Sequence, residues 1–464
     1  MKKLYRVLIY LLPTVLFFSY YPVIALGATD SMNLELSLPL IWLVIFNIVS
    51  GITMIKTRPK IDKKVLLVFI APLFITLSIL WSKNPIRGVL TTGILWLIVF
   101  AIINFHCLYK DTIKDASNFS RTMLKSIFIP SIFICLWCWI QCALDLNGIA
   151  QNQSLMCNGC TTKMFGFPHP NGFAIEPQFM GNLLLFPVLL AIYLLFKNNK
   201  NITLWILASF FTSTLFLTFS RGAIYSFAVA FIFLLAFYIA KQKSVKPFKI
   251  VFVPLFAFIF SLNAQGIFAE LSHTNDTYIS GISKALNHLS LGIININAED
   301  NDGATRNTIQ TQSRQENNES VFNGYIEEST NVRINLTNSA LEVWQESPWR
   351  ILFGVGIGGA GTALYESQKT DTPKEIVQNE YINLLLEIGI VGVLILIIIL
   401  FLIFRTASRT VDIFFFAIII AYGLSLLFFS GLPNALHIYL LPAFFFKNES
   451  IIKQKVQSHR NNSR

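Results

Sequence analysis

The feature that most constrains this chain is a succession of apolar runs, most near the length that crosses a bilayer as a helix, separated by short connections. About 20 mainly apolar residues, rising about 1.5 Å each, cross a hydrocarbon core of about 30 Å. Twelve stretches meet or approach that length: 7–27, 37–55, 65–81, 87–106, 124–145, 174–196, 202–219, 222–240, 249–268, 380–404, 412–431 and 433–446. The last is the shortest. The 464 residues are only 13% charged, about half the share in a soluble domain. The predicted fold is therefore an all-α polytopic membrane protein. Met1-Lys2-Lys3 looks like the start of a signal peptide. The apolar run behind it continues to about Gly27 with no small-residue cleavage site, which predicts a retained first helix.

A net charge of +11 brings nucleic-acid binding into question, but the basic residues form no single face. They sit in short clusters between spans, the pattern of loops on the cytoplasmic side. With the N-terminus cytoplasmic, the even-numbered connections and both termini hold 25 of the 36 Lys and Arg. The short outer loops hold Lys83, Arg87, Lys163 and Arg221. The opposite topology places the 25 outside. The sequence thus predicts an inner-membrane protein with both termini cytoplasmic.

One connection is unlike the others. Residues 269–378 contain no span and carry 14 of the 25 acidic residues. This sets the expected organisation: spans one to nine over 1–268, a large outer loop over 269–378, spans ten to twelve over 379–446, and a basic cytoplasmic tail over 447–464. The stretch Asn295–Ser320 is polar and nearly free of large apolar residues, the composition of a disordered segment or mobile flap. Further on, Val332, Leu336, Ala340, Val343 and Trp344 recur at helical spacing. They predict an amphipathic helix over Val332–Glu346 that Pro348 ends, with Trp344 and Trp349 suited to the headgroup level.

Several polar residues stand where burial is costly. Ser220-Arg221-Gly222 joins two spans with almost no loop, and Gly222 is expected to permit the tight hairpin. Arg221 is then either a snorkelling anchor or a guanidinium preset to grip phosphate oxygens. The stretch Gly166-Phe-Pro-His-Pro-Asn-Gly-Phe-Ala-Ile-Glu-Pro177 opens the sixth span. It puts Pro177 in the first helical turn and Glu176 at the helix N-terminus, as a cap or as a carboxylate facing a sugar or an arginine. Asn379, Asn383 and Glu387 fall at intervals of four on the tenth span, a polar stripe facing a partner helix or a cavity. Arg333 stands at the start of the amphipathic helix. The run Gly354-Val-Gly356-Ile-Gly358-Gly359-Ala-Gly361 reads as a close-approach segment and not a nucleotide loop, because no soluble strand precedes it. Cys157-Asn-Gly-Cys160 is a disulfide candidate for an oxidising compartment. It has no second ligand pair, so no metal is expected there. Cys135, Cys138 and Cys142 share a face of the fifth span and read as core packing.

These pieces, in this order, resemble the bacterial O-antigen ligase and O-antigen polymerase family of membrane glycosyltransferases, of C-type fold. The matching residues are Ser220-Arg221-Gly222-Ala223; then Arg333 ahead of Ala340, Trp344 and Pro348; then Leu352-Phe-Gly-Val-Gly356; and Gln378-Asn-Glu-Tyr381 running into Leu385-Leu-Glu387-Ile-Gly389. Pro170-Asn171 is also similar. The resemblance covers roughly residues 165–430. It implies a glycan donor on polyprenyl pyrophosphate at the outer leaflet and an acceptor hydroxyl that attacks the anomeric carbon. The lipid pyrophosphate leaves, and neither nucleotide nor metal is required. It makes Arg221, Arg333, Glu176 and Glu387 the catalytic candidates. Ser220, Gly222, His169, Asn171, Gly354, Gly356, Gln378, Asn379 and Asn383 become the substrate-binding candidates, and a chain-length regulator the expected partner. Ligases of this family typically carry a His-Asn pair before the late span. Here Gln378 holds the His position, and Gln takes no proton at neutral pH. A polymerase of repeat units is therefore favoured over a ligase to lipid A-core. A flippase is the rival class, set aside because neither internal repeats nor interrupted helices are evident.

Overall fold

The computed structural model describes residues 2–29, 32–59, 68–113, 115–147, 163–164, 167–243, 246–271, 277–291, 293–294, 318–407, 412–431 and 435–445. Gly166, Cys157, Cys160, His273, most of the polar stretch 295–320 and the basic tail fall outside them. Sixteen helices carry the described chain: α1 (Lys2–Phe17), α2 (Leu38–Thr57), α3 (Ile70–Leu77), α4 (Pro85–Thr112), α5 (Ala116–Leu146), α6 (Pro177–Lys197), α7 (Ile202–Leu217), α8 (Arg221–Gln242), α9 (Phe252–Leu271), α10 (Tyr278–Leu289), α11 (Asn318–Gln345), α12 (Pro348–Phe353), α13 (Ala360–Glu366), α14 (Glu380–Ala407), α15 (Ile413–Ser425) and α16 (Leu436–Phe445).

Among the described residues, seven helices are long and apolar enough to cross a membrane: α2, α4, α5, α6, α8, α9 and α14. The predicted spans 65–81, 202–219, 412–431 and 433–446 contain shorter apolar helices. The protein is thus an all-α polytopic membrane protein. The expected first span, 7–27, is corrected. Helix α1 stops at Phe17, and the chain turns into an antiparallel hairpin of β1 (Val23–Thr29) and β2 (Met32–Ser37). The cause is local. Pro22 has no N–H and disfavours helix at the residue before it, while the N–H groups of Tyr20 and Tyr21 both donate to the Phe173 carbonyl, at 3.1 and 2.9 Å.

Helix α6 is the hub, with 89% of its apolar window inside the protein. It packs on α7, α8 and α15, and its residues Leu183–Ile192 are almost wholly buried. The free thiols Cys135, Cys138 and Cys142 lie buried in the same bundle, as packing predicts. A second, smaller core lies beside α14. Ala340 and Val343 of α11 meet Val355, Ala363, Leu364, Val377 and Leu386 there. The predicted amphipathic helix is therefore present but longer, running 28 residues from Asn318, so Arg333 lies well inside it and not at its start. Trp344 turns inward, its indole N–H donating to the Ile351 carbonyl at 3.2 Å, whereas Trp349 stays 55% exposed.

Helix α14 is interrupted. Gly389 has φ 63° and ψ −176°, a conformation close to glycine-only, and a Cβ there meets the Leu352 carbonyl. The Gly354–Gly361 run explains the break. Val355 and Gly356 donate to the carbonyls of Leu386 and Glu387, each at 2.9 Å. The run's other side accepts from Lys83 N–H at 3.1 Å and Ser82 Oγ at 2.8 Å. The turn is wedged between two backbones, which only bare glycines allow. Interrupted helices are thus not lacking, as the sequence reading had them. Among the described helices the break is seen in α14, where it admits this turn.

Candidate active site

Three separate parts of the chain converge on the turn between α7 and α8. The turn's left-handed residue is Phe219, at φ 49°, and not Gly222, which is helical. Gly222 is needed for another reason. A Cβ there lies 2.9 Å from the Phe428 side chain, so its absence lets the segment after α15 close on the start of α8. Gly181 of α6 does the same on the opposite side, where a Cβ lies 2.8 Å from that of Ser220. Ser220 caps α8 by accepting from Ala223 N–H at 3.4 Å. Arg221 therefore stands at the N-terminus of a 22-residue helix, where the helix dipole already favours an anion.

Arg333 arrives from α11. Its guanidinium donates to Gln178 Oε1 at 3.1 Å and to the Phe428 carbonyl at 3.3 Å. Gln178 Nε2 donates to the same carbonyl at 2.7 Å. The two arginines lie within electrostatic range of each other. Among the described residues, Arg221 Nη1 is buried with no hydrogen-bond partner. Holding two guanidiniums together with one donor unmet is unfavourable until an anion arrives. Glu176 is the N-cap residue of α6 and makes no side-chain capping bond, so the helix dipole alone supports the cap reading. Burial holds its carboxyl above the usual carboxylate range, and the Arg333 charge partly offsets this.

Two histidines back the turn. His288 Nε2 bonds the Phe219 carbonyl at 3.2 Å, and its ring meets that of His169 at 5.7 Å, edge to face. His169 is hydrogen-bonded with the Thr218 backbone. Burial, with the charges of Arg221 and Arg333 adding to it, takes His288 down to about 3. Burial also takes His169 well below its ordinary value. Both are neutral at physiological pH, so the positive charge of the site belongs to the arginines. His288 has no motif around it in the sequence. Only the return of α10 to the turn, 69 residues along the chain, makes it part of the site.

The remaining candidates divide. Asn171 is buried in a fixed network, accepting from Gln141 Nε2 at 3.2 Å and donating to the Ala174 carbonyl at 3.0 Å. It holds the loop in shape. Gly354 and Gly356 are used in the backbone wedge described above. Glu387 faces Arg87 and the backbone of Ala360 and Gly358, a separate polar centre. Asn379 caps α14, accepting from Tyr381 and Ile382 N–H at 3.1 and 3.3 Å. Gln378 and Asn383 are half-buried. The predicted stripe on α14 therefore does not act as one face. Its first member caps the helix and its last grips the glycine turn. Glu380, between them in sequence, is buried and accepts from Ser430 Oγ and Gly431 N–H, and no sequence signal marks it.

Fold and site together define a multi-pass membrane protein with two arginines brought together beside a helix N-terminus. Residues 202–397 match the family model described as O-antigen ligase. That part of the chain, from α7 into α14 and including Arg221 and Arg333, is thus similar to the O-antigen ligase family. The match supports a membrane enzyme of O-antigen or related surface-polysaccharide assembly. No curated protein matches the chain.

Proposed function

We propose that the protein joins glycan repeat units carried on polyprenyl pyrophosphate, at the outer face of the bacterial inner membrane, with both termini in the cytoplasm. The observation that carries this is the pairing of Arg221 and Arg333, with Arg221 Nη1 buried and unmatched. An acceptor hydroxyl attacks the anomeric carbon of the donor. The new C–O bond forms as the bond to pyrophosphate breaks, and the electron pair leaves on the pyrophosphate oxygen. The two guanidiniums and the α8 N-terminus stabilise that charge, and preorganised donors of this kind contribute about 10²–10³ in rate each. The acceptor proton passes to Glu176, whose carboxyl is held above the usual carboxylate range by burial, the direction that strengthens a base. No nucleotide or metal is required for this balance, since the arginines supply the positive charge.

Polymerase is favoured over ligase because the chain has Gln378 and Asn379 where the resemblance implies a His-Asn pair for a ligase. The ligase reading is kept alive by the description of the matching family. Deleting the gene in its host and separating surface glycolipids on a gel tests both. Surface lipid with a single repeat unit supports the polymerase. Full-length polymer stranded on its carrier, with none on lipid A-core, supports the ligase. An unchanged ladder overturns both for this polysaccharide.

A further inference from the structure

Glu380 is 3% exposed, and three bonds surround it. Its Oε2 accepts from Ser430 Oγ at 2.6 Å and from Gly431 N–H at 2.9 Å. Its own N–H donates to the Leu426 carbonyl at 2.9 Å. The neighbouring Tyr381 hydroxyl donates to the Gly423 carbonyl at 2.7 Å. The first turn of α14 thus holds the whole stretch that follows α15. In the middle of that stretch is Phe428. Its carbonyl takes both Arg333 and Gln178, and its side chain fills the space left by Gly222, next to Arg221. A buried carboxylate is costly unless matched. Among the described residues it is matched by a hydroxyl and a backbone amide, both on this one turn.

We infer that Glu380 is a positioning residue. It fixes residues 426–431 so that the Phe428 carbonyl aims Arg333 and Gln178 at the space beside Arg221. The inference rests on the role proposed above for the arginines. Side-chain geometry sets what each substitution does. Gln keeps an acceptor oxygen at the same reach, whereas Asp is one methylene short and Ala accepts nothing.

The experiment uses the full chain in lipid vesicles. Glu380→Ala is expected to lower kcat by about ten- to a hundredfold, the range expected when reacting groups move by about 1 Å, with KM little changed. Glu380→Gln is expected to recover most of the rate. Glu380→Ala combined with Arg333→Ala is expected to be no slower than Arg333→Ala alone, because one acts through the other. Losses that multiply in the double variant overturn the inference. A spin label at Leu427, which is 41% exposed on the same turn, reads the tie without any activity. Glu380→Ala is expected to increase its mobility, and an unchanged spectrum overturns the inference whatever the rates do. A freed turn, with Arg333→Ala still at full activity, leaves the tie standing and sinks the reading of the arginines instead.

Discussion

At the scale of single residues, the decisive quantity is unmatched charge. Arg221 and Arg333 sit within range of each other, and Arg221 keeps a buried donor with no partner among the described residues. A planar fork with fixed donors differs from a flexible ammonium in such a place. Arg221→Lys keeps the charge and loses the fork. It is expected to lower kcat by about a hundredfold with normal amounts of protein in the membrane; turnover at the parent rate removes the clamp. Glu176 makes a pH-dependent counterpart. A base is active when deprotonated, and this carboxyl titrates above the ordinary range because of burial. Activity of the parent protein should therefore fall as pH drops through that raised value. Glu176→Gln should lie at least tenfold below the parent throughout and lack the acidic limb. A retained limb in the Gln variant assigns the titration to another group.

At the scale of elements, what was legible in the sequence followed from local cost. Spans were legible because about 20 apolar residues have few other uses, and α11 because its core-facing residues recur at helical spacing. Arg221, Arg333 and Glu176 were legible because charges near a bilayer need a reason. What was not legible depended on contacts distant in sequence. Gln178 and Phe428 meet across 250 residues, and Arg333 and Phe428 across 95. Glu380 went unread because its partners lie 50 residues on, in a turn that looks like more span. The end of α1 at Phe17 likewise depends on Phe173. The break at Gly389 gives a test at this scale. Gly389→Ala adds a Cβ against the Leu352 carbonyl and forces a glycine-only conformation, costing about 1–3 kcal/mol for the backbone alone. Gly93→Ala, inside α4 with open space around the new Cβ, should instead gain about 0.5–1 kcal/mol. Thermal unfolding in one detergent compares the two. Equal midpoints mean that the break in α14 is not held by Gly389.

At the scale of the whole molecule, the question is which acceptor reaches the arginines. Both outcomes of the proposed chemistry share the donor and the leaving group. They differ only in what offers the hydroxyl: another polyprenyl-linked chain, or lipid A-core. The residue that stands at the ligase base position is Gln378, half-buried one residue before the cap of α14. A neutral amide there can orient a hydroxyl and cannot take its proton. In the proposed reaction the proton goes instead to Glu176, on the α6 side and within range of the Arg333 charge. Purified protein in vesicles with only polyprenyl-pyrophosphate-linked single repeat units is therefore expected to build a ladder of chain lengths, with a chelator present and no nucleotide added. If polymer appears only when lipid A-core is supplied with preformed chains, the protein is a ligase, and its base lies elsewhere than the resemblance implies. Gln378→His separates the two further. In a polymerase that relies on Glu176 it should not rescue Glu176→Gln, whereas recovery of activity in the double variant would mean that a base is accepted from the α14 side.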